Sequence, residues 1–173
     1  MHCQEYASPK WNFMLTLDVE KVHMKIGIAS DHGGFDLKQV IAIMLKQSGY
    51  EVLDFGNLVK DEQDDFPDYI FPLGMAVASG EVDRGIAFCG SGVGAAIAAN
   101  KVPGVRASLI TDHFSSHQGV EDDDMNLICL GGRISGVETA KEYIQAFVES
   151  NFTAAERHIR RLKKVSSLEQ YGR

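Results

Sequence analysis

Proline and tryptophan are scarce in this chain, with four prolines and one tryptophan among 173 residues. No Pro-, Gly- or Ser-rich tract marks an internal linker, and this length suits one domain built on a single hydrophobic core. Cysteine is scarce too. Cys3, Cys89 and Cys129 form neither a CxxC pair nor an even set, which excludes a disulfide framework and predicts reduced thiols in the cytoplasm. No apolar run approaches the roughly 20 residues of a membrane-spanning helix. Positive charge is in deficit, with 17 Lys and Arg against 24 Asp and Glu. The net charge of -7 excludes a broad nucleic-acid-binding face, so an anionic substrate would need a local basic site. Residues 1–23 lack the basic start and apolar core of a secretory signal and the arginine richness of a mitochondrial one. They read as a disordered extension before a domain over 24–173.

From Met24 onward, short apolar runs alternate with helix-like segments, the pattern of βαβ units and a parallel sheet. Strands are predicted at Lys25–Ala29, Tyr50–Phe55, Arg84–Phe88, Arg106–Ile110 and Asn126–Leu130. The run Arg84–Phe88 is apolar throughout, as befits a central strand buried on both faces. Helices are predicted at Phe35–Ser48, Tyr69–Ser79, Ala95–Asn100, 113–120 and 136–149, and a basic one at Thr153–Lys164. The expected fold is therefore α/β, a doubly wound, Rossmann-like five-stranded parallel sheet flanked by helices. Ligands of such sheets bind outside the carboxyl ends of the strands, where the strand order reverses. The residues to examine first are Ser30–Gly34, Cys89–Gly94, Thr111–His113 and Gly131–Arg133.

Cys89-Gly90-Ser91-Gly92-Val93-Gly94 lies between a strand and a helix start, where several backbone N–H groups can converge on one anionic oxygen. A thiol beside a helix start gains thiolate character, which suits a proton-abstracting base. The alternative is a buried cysteine ending a strand, with glycines serving only the turn. A dinucleotide site is a poorer fit, because G-x-G-x-x-G does not follow the first strand. That strand ends instead in Ser30-Asp31-His32-Gly33-Gly34, placing an acid and an imidazole at the ligand edge, although Asp31 would serve equally as a helix cap.

In the last helix, Arg157 and Arg161 are four residues apart and share a face, a spacing that can grip a phosphate. A solvated basic face is the plainer alternative. Glu121–Asp124 has no histidine at ligand spacing and reads as a solvated turn rather than a metal site. Trp11, His117 and Cys129 join no constellation.

Taken together, Ser30–Gly34, Phe66-Pro67-Asp68, Cys89–Gly94, the run AANKVPGVRA at 98–107, Gly131-Gly132-Arg133 and the terminal Arg157-His158-Ile159-Arg160-Arg161 resemble the ribose-5-phosphate isomerase B and galactose-6-phosphate isomerase family. The resemblance covers Met24 to about Gln170. It implies a metal- and cofactor-free aldose–ketose isomerase of phosphorylated sugars, a homodimer or pair of dimers with shared active sites. It also implies that Cys89 carries a proton between C1 and C2 through an enediolate. Some members use a glutamate in the following helix, where this chain has Ala95. By the same resemblance Ser91, in place of the more usual threonine, and the amides of Gly90, Gly92, Val93 and Gly94 steady the enediolate oxygens. Asp31 and His32 contact the sugar, and Arg133, Arg157 and Arg161 hold the phosphate.

One position departs from the pattern. Where many members carry His-Asn, with the histidine implied in opening the furanose ring, this chain has Asp122-Asp123. Either His32 or Asp122 takes over ring opening, or the substrate is a tetrose phosphate such as erythrulose 4-phosphate, which closes no furanose ring. Other classes consistent with the sequence are a non-catalytic sugar-phosphate-binding subunit and a flavodoxin-like nucleotide module.

Overall fold

A computed structural model describes residues Met24–Tyr171, with side chains through Glu169. The extension expected over 1–23 lies outside the described residues. Five strands and six helices follow in the order β1 Lys25–Ser30, α1 Phe35–Gln47, β2 Glu51–Asp54, α2 Pro67–Ser79, β3 Arg84–Cys89, α3 Val93–Ala99, β4 Ala107–Leu109, α4 His113–Asp123, β5 Leu127–Gly131, α5 Val137–Glu149 and α6 Glu156–Tyr171. All strand pairs are parallel and the sheet order is β2-β1-β3-β5-β4. The expected five-stranded parallel α/β fold is thus the observed one.

Period-two alternation of the strands sorts their side chains into two cores. Ile26, Ile28, Ile86, Phe88, Ile128 and Leu130 face one way, onto Leu37, Ile41 and Leu45 of α1 and Ile144 and Phe147 of α5. Ala29, Ala87, Cys89, Leu127 and Cys129 face the other, onto Ile70 and Leu73 of α2 and Ala95, Ala98 and Ala99 of α3. Both faces are therefore covered, which is why β3 and β5 read as continuous apolar runs.

Several element ends differ from the sequence expectation, each for a local reason. α2 starts two residues early because Pro67 occupies its first turn, where the missing N–H costs nothing. α3 also starts two residues early, immediately after Gly92, whose φ of 82° sets the entry. α6 starts later than Thr153 because the Thr153 N–H and hydroxyl both donate to the Glu121 carbonyl and Ala154 adopts a left-handed φ of 50°. It then continues past Lys164 to Tyr171.

The chain order reverses beside β1: β2 lies on one flank and β3 on the other. The loops leaving β1 and β3 at their carboxyl ends therefore flank the crevice where this architecture binds ligands.

Candidate active site

The loops after β1, β3 and β5 meet at the carboxyl edge through backbone rather than side chains. A Cβ on Gly33 would lie 2.7 Å from the Gly90 nitrogen, and one on Gly132 2.4 Å from the Gly33 carbonyl oxygen. Gly132 N–H donates to the Cys89 carbonyl at 2.8 Å and Arg133 N–H to that of Gly90 at 3.1 Å. This close stacking brings Asp31–Gly34, Cys89–Gly94 and Arg133 into one neighbourhood, as the sequence predicted.

Cys89 ends β3 and is 5% exposed. Its side chain belongs to the second apolar core, and within it the Gly92 N–H donates to Sγ at 3.0 Å. That bond depends on the left-handed Gly92, whose missing Cβ would otherwise stand 2.5 Å from Leu109. Ser91 is exposed and its Oγ accepts from the Val93 N–H at 3.4 Å, so it braces the first turn of α3. Ala95 is fully buried in that helix. The Phe66 ring packs against Gly94, where a Cβ would come within 3.1 Å of the ring, giving Phe66-Pro67-Asp68 a packing role above the Cys89 loop. Cys129, on the neighbouring strand, is fully buried and burial pushes its thiol up, consistent with no role.

Asp31 is 7% exposed and its Oδ1 accepts from the Gly34 N–H at 3.2 Å. It thus holds the turn leading into α1 without capping that helix, whose N-cap is Gly34 with no side-chain bond, and burial pushes the Asp31 carboxyl up against the pull of the Gly34 N–H. His32 bonds through Nδ1 to Asp64 Oδ1 at 2.7 Å, and its backbone N–H donates to the same oxygen at 3.0 Å. Asp64 Oδ2 accepts from Asn57 Nδ2 at 2.7 Å. The bond to Asp64 raises the imidazole above the ordinary histidine range, opposed by desolvation and aided by the charges of Asp31 and Glu62. Burial pushes the Asp64 carboxyl up, but the His32 N–H, the Asn57 amide and the imidazole together hold it below the usual carboxylate range. Arg133 is exposed beside Gly90, its Nε 3.6 Å from where a Cβ there would stand.

The remaining predicted residues lie elsewhere. α4 leaves the carboxyl edge after Asp112 and runs back to Asp123, just before β5 begins, so Asp122 and Asp123 sit at the amino edge of the sheet. Five residues of β5 separate the edges by about 17 Å. α5 makes the same return, which puts Arg157 and Arg161 of α6 at the amino edge as well. There Asp122 Oδ2 accepts from Gln118 at 2.8 Å, and its Oδ1 lies 3.2 Å from His158 Nδ1. Arg157 Nε donates to His158 Nε2 at 2.6 Å, so the imidazole proton resides on Nδ1 and points to Asp122 and to Thr153 Oγ1, 3.1 Å away. Asp123 lines a recess of about 540 Å³ between β4, α4 and α6, together with Arg106, Leu162 and Val165. Within one chain, then, Cys89, Asp31, His32, Ser91 and Arg133 come together, and Asp122, Asp123, Arg157 and Arg161 do not join them.

Sequence reading overlooked Asp64 and Asn57, and named His158 only as part of the terminal basic motif, with no role of its own. Asp64 sits in an acidic loop that reads as solvated, and nothing local marks it as a partner of His32. His158 carried a weak signal, an imidazole between arginines on the inward face of a helix. It is 1% exposed.

A parallel α/β sheet of this kind places small-molecule sites at the carboxyl ends of its strands, where the thiol and main-chain donors lie. The chain belongs to the ribose/galactose isomerase family, whose model matches residues 26–165. It is 38% identical over 146 residues to ribose-5-phosphate isomerase B of Escherichia coli, covering 84% of this chain and 97% of that protein. Ribose-5-phosphate isomerase B of Clostridium thermocellum superposes with a TM-score of 0.83 at 43% identity, over 87% of this chain and all of that one. The D-erythrulose-4-phosphate isomerase of Pectobacterium atrosepticum is 36% identical over 129 residues, 75% of this chain and 85% of that one. The protein is accordingly an aldose–ketose isomerase of the sugar-phosphate type. No helix among the described residues is long and apolar enough to cross a membrane.

Proposed function

We propose that this cytoplasmic enzyme interconverts ribose 5-phosphate and ribulose 5-phosphate, with Cys89 moving a proton between C1 and C2 through an enediolate. The observation that carries this reading is the 3.0 Å bond from the Gly92 N–H to Cys89 Sγ, which sets the sulfur against the start of α3. In the reaction the thiolate takes the proton bound to C2 of the open-chain aldose. Negative charge passes to the C1 oxygen, where amides of the Gly90–Gly94 turn and the Ser91 hydroxyl supply donors; the C2 hydroxyl proton then passes to that oxygen and the thiol returns its proton to C1, leaving the carbonyl at C2. Preorganised donors at such an oxygen are worth about 3 kcal/mol of barrier.

A second copy of the chain is proposed to complete the site, and the placement of four residues supports this. Asp122, Asp123, Arg157 and Arg161 are held at the amino edge, where the carboxyl-edge crevice of their own chain is beyond their reach. A two-fold dimer that sets one chain's amino edge against its partner's carboxyl edge gives the phosphate its arginines, with Arg133 as the same-chain contribution. Exposed Ile159, Val165 and Leu168 on α6 provide apolar surface for that contact.

A tetrose phosphate is the second reading, favoured by Asp122 in place of an imidazole and by the relative that acts on erythrulose 4-phosphate. Steady-state turnover of ribose 5-phosphate, galactose 6-phosphate and erythrulose 4-phosphate separates the two. The pentose reading requires the highest kcat/KM on ribose 5-phosphate, and a preference for the tetrose replaces it. In Cys89→Ala the isomerisation rate should fall by about 100-fold or more, while a phosphorylated sugar acid still binds. Retained turnover would remove Cys89 as the base.

A further inference from the structure

His32 is held by a chain of buried polar contacts that begins outside the site. Lys38 of α1 is wholly buried and donates to both carboxylate oxygens of Asp54 at 2.8 Å and to the Asn57 carbonyl at 2.7 Å. Asn57 is thereby fixed after β2. Its Oδ1 accepts from the Val59 N–H at 3.0 Å, which settles the orientation of the amide and turns Nδ2 toward Asp64. The Asp64 side chain is 4% exposed, and both of its oxygens are occupied, one by Asn57 and the other by His32. An ionised carboxylate only accepts, so His32 Nδ1 must be the donor and Nε2 is the nitrogen left for a ligand. The imidazole is 24% exposed and precedes Gly33, which lies against Gly90.

We propose that Asp64 is a positioning residue for the isomerase reaction, fixing His32 with its Nδ1 proton directed inward so that Nε2 is presented to the bound sugar phosphate. This rests on the isomerase reading above. The charged groups facing His32 are Asp64, Asp31 and Glu62, all acidic. They favour a second proton on Nε2, which makes His32 a hydrogen-bond donor to an anionic or ether oxygen of the substrate. The carboxylate itself touches no substrate. Its effect passes through the imidazole alone, and that sets it apart from a residue that merely keeps the loop folded.

The test is Asp64→Asn in the full chain, compared with wild type, His32→Gln and the double variant. Nitrogen-15 NMR of the His32 ring, assigned by its loss in His32→Gln, should show Nδ1 protonated in the neutral wild-type imidazole. In Asp64→Asn the titration midpoint should fall and the proton should shift toward Nε2. With ribose 5-phosphate, kcat/KM should drop about tenfold in Asp64→Asn and no further when the change is made in His32→Gln. An unchanged His32 spectrum, or an equal loss in the His32→Gln background, overturns the positioning role. If Asp64→Asn fails to fold, Asn57→Ala removes one donor to Asp64 and is subject to the same comparison. Wild-type protein that isomerises no sugar phosphate overturns the proposed function and this inference with it. Wild-type activity with a His32 spectrum indifferent to Asp64→Asn overturns this inference alone.

Discussion

The ammonium of Lys38 lies 2.8 Å from each carboxylate oxygen of Asp54, with the lysine fully buried and the aspartate side chain 26% exposed. A third bond to the Asn57 carbonyl at 2.7 Å satisfies the last of its donors, and the Phe35 ring centroid stands 5.5 Å away. The pair joins α1 to the end of β2 and so fixes the loop whose Asn57 holds Asp64.

Lys38→Met keeps the aliphatic stem and removes the charge, leaving Asp54 and the Asn57 carbonyl without their donor. Because Asp54 retains some access to water, the loss should be about 3 kcal/mol, at the low end for a broken buried pair. A urea titration measures it as a lower midpoint at unchanged slope. A midpoint equal to that of wild type would mean that the pair contributes nothing net.

The glycines with left-handed backbones separate shape from chemistry. Gly80 and Gly92 have φ of 76° and 82°. A Cβ on Gly80 would meet nothing within 4 Å, whereas one on Gly92 would stand 2.5 Å from Leu109 Cδ1 and 3.0 Å from the Leu130 carbonyl carbon. Gly80→Ala should therefore cost about 1 kcal/mol and leave turnover intact. Gly92→Ala adds a clash with main chain and displaces the N–H that faces Cys89, so kcat should fall about tenfold or more on top of the same backbone cost. Similar kinetics in the two variants would show that the Gly92 N–H has no part in the reaction.

The strands were legible because burial on both faces leaves a continuous apolar run, as in Arg84–Phe88 and Asn126–Leu130. Their order was not. Alternation tells which way a side chain points but not that β5 inserts between β3 and β4, and that insertion makes β4 an edge strand. Cys89 and its glycines were legible as a local motif, whereas the Asp64 carboxylate was not, since its partner lies 32 residues away. Lys38 left a trace that was open to reading: it shares a helical stripe with Ile41, Ala42 and Leu45, all buried. A cation on an apolar stripe calls for a buried partner, but the sequence does not say which carboxylate supplies it. The separation of Asp122 and Arg157 from Cys89 follows only once the direction of every helix is known.

That separation makes the proposed sharing of a site between two chains directly testable by subunit mixing. Cys89→Ala damages the carboxyl-edge half of a site, and the double variant Arg157→Ala/Arg161→Ala damages the amino-edge half. Each homodimer should be nearly inactive, because every site in it lacks one half. In a mixed dimer one site combines both damaged halves and the other combines both intact ones. Random exchange of equal amounts makes half of the dimers mixed, so activity should recover to about a quarter of the wild-type level. Recovery should appear only after mild denaturant allows exchange, and should grow with the fraction of mixed species measured by native mass spectrometry. Activity that stays at the average of the two parents while mixed dimers are demonstrably present would place all catalytic groups within one chain. It would then require α6 to be rearranged from the amino edge where it lies, since no side chain there spans the length of β5.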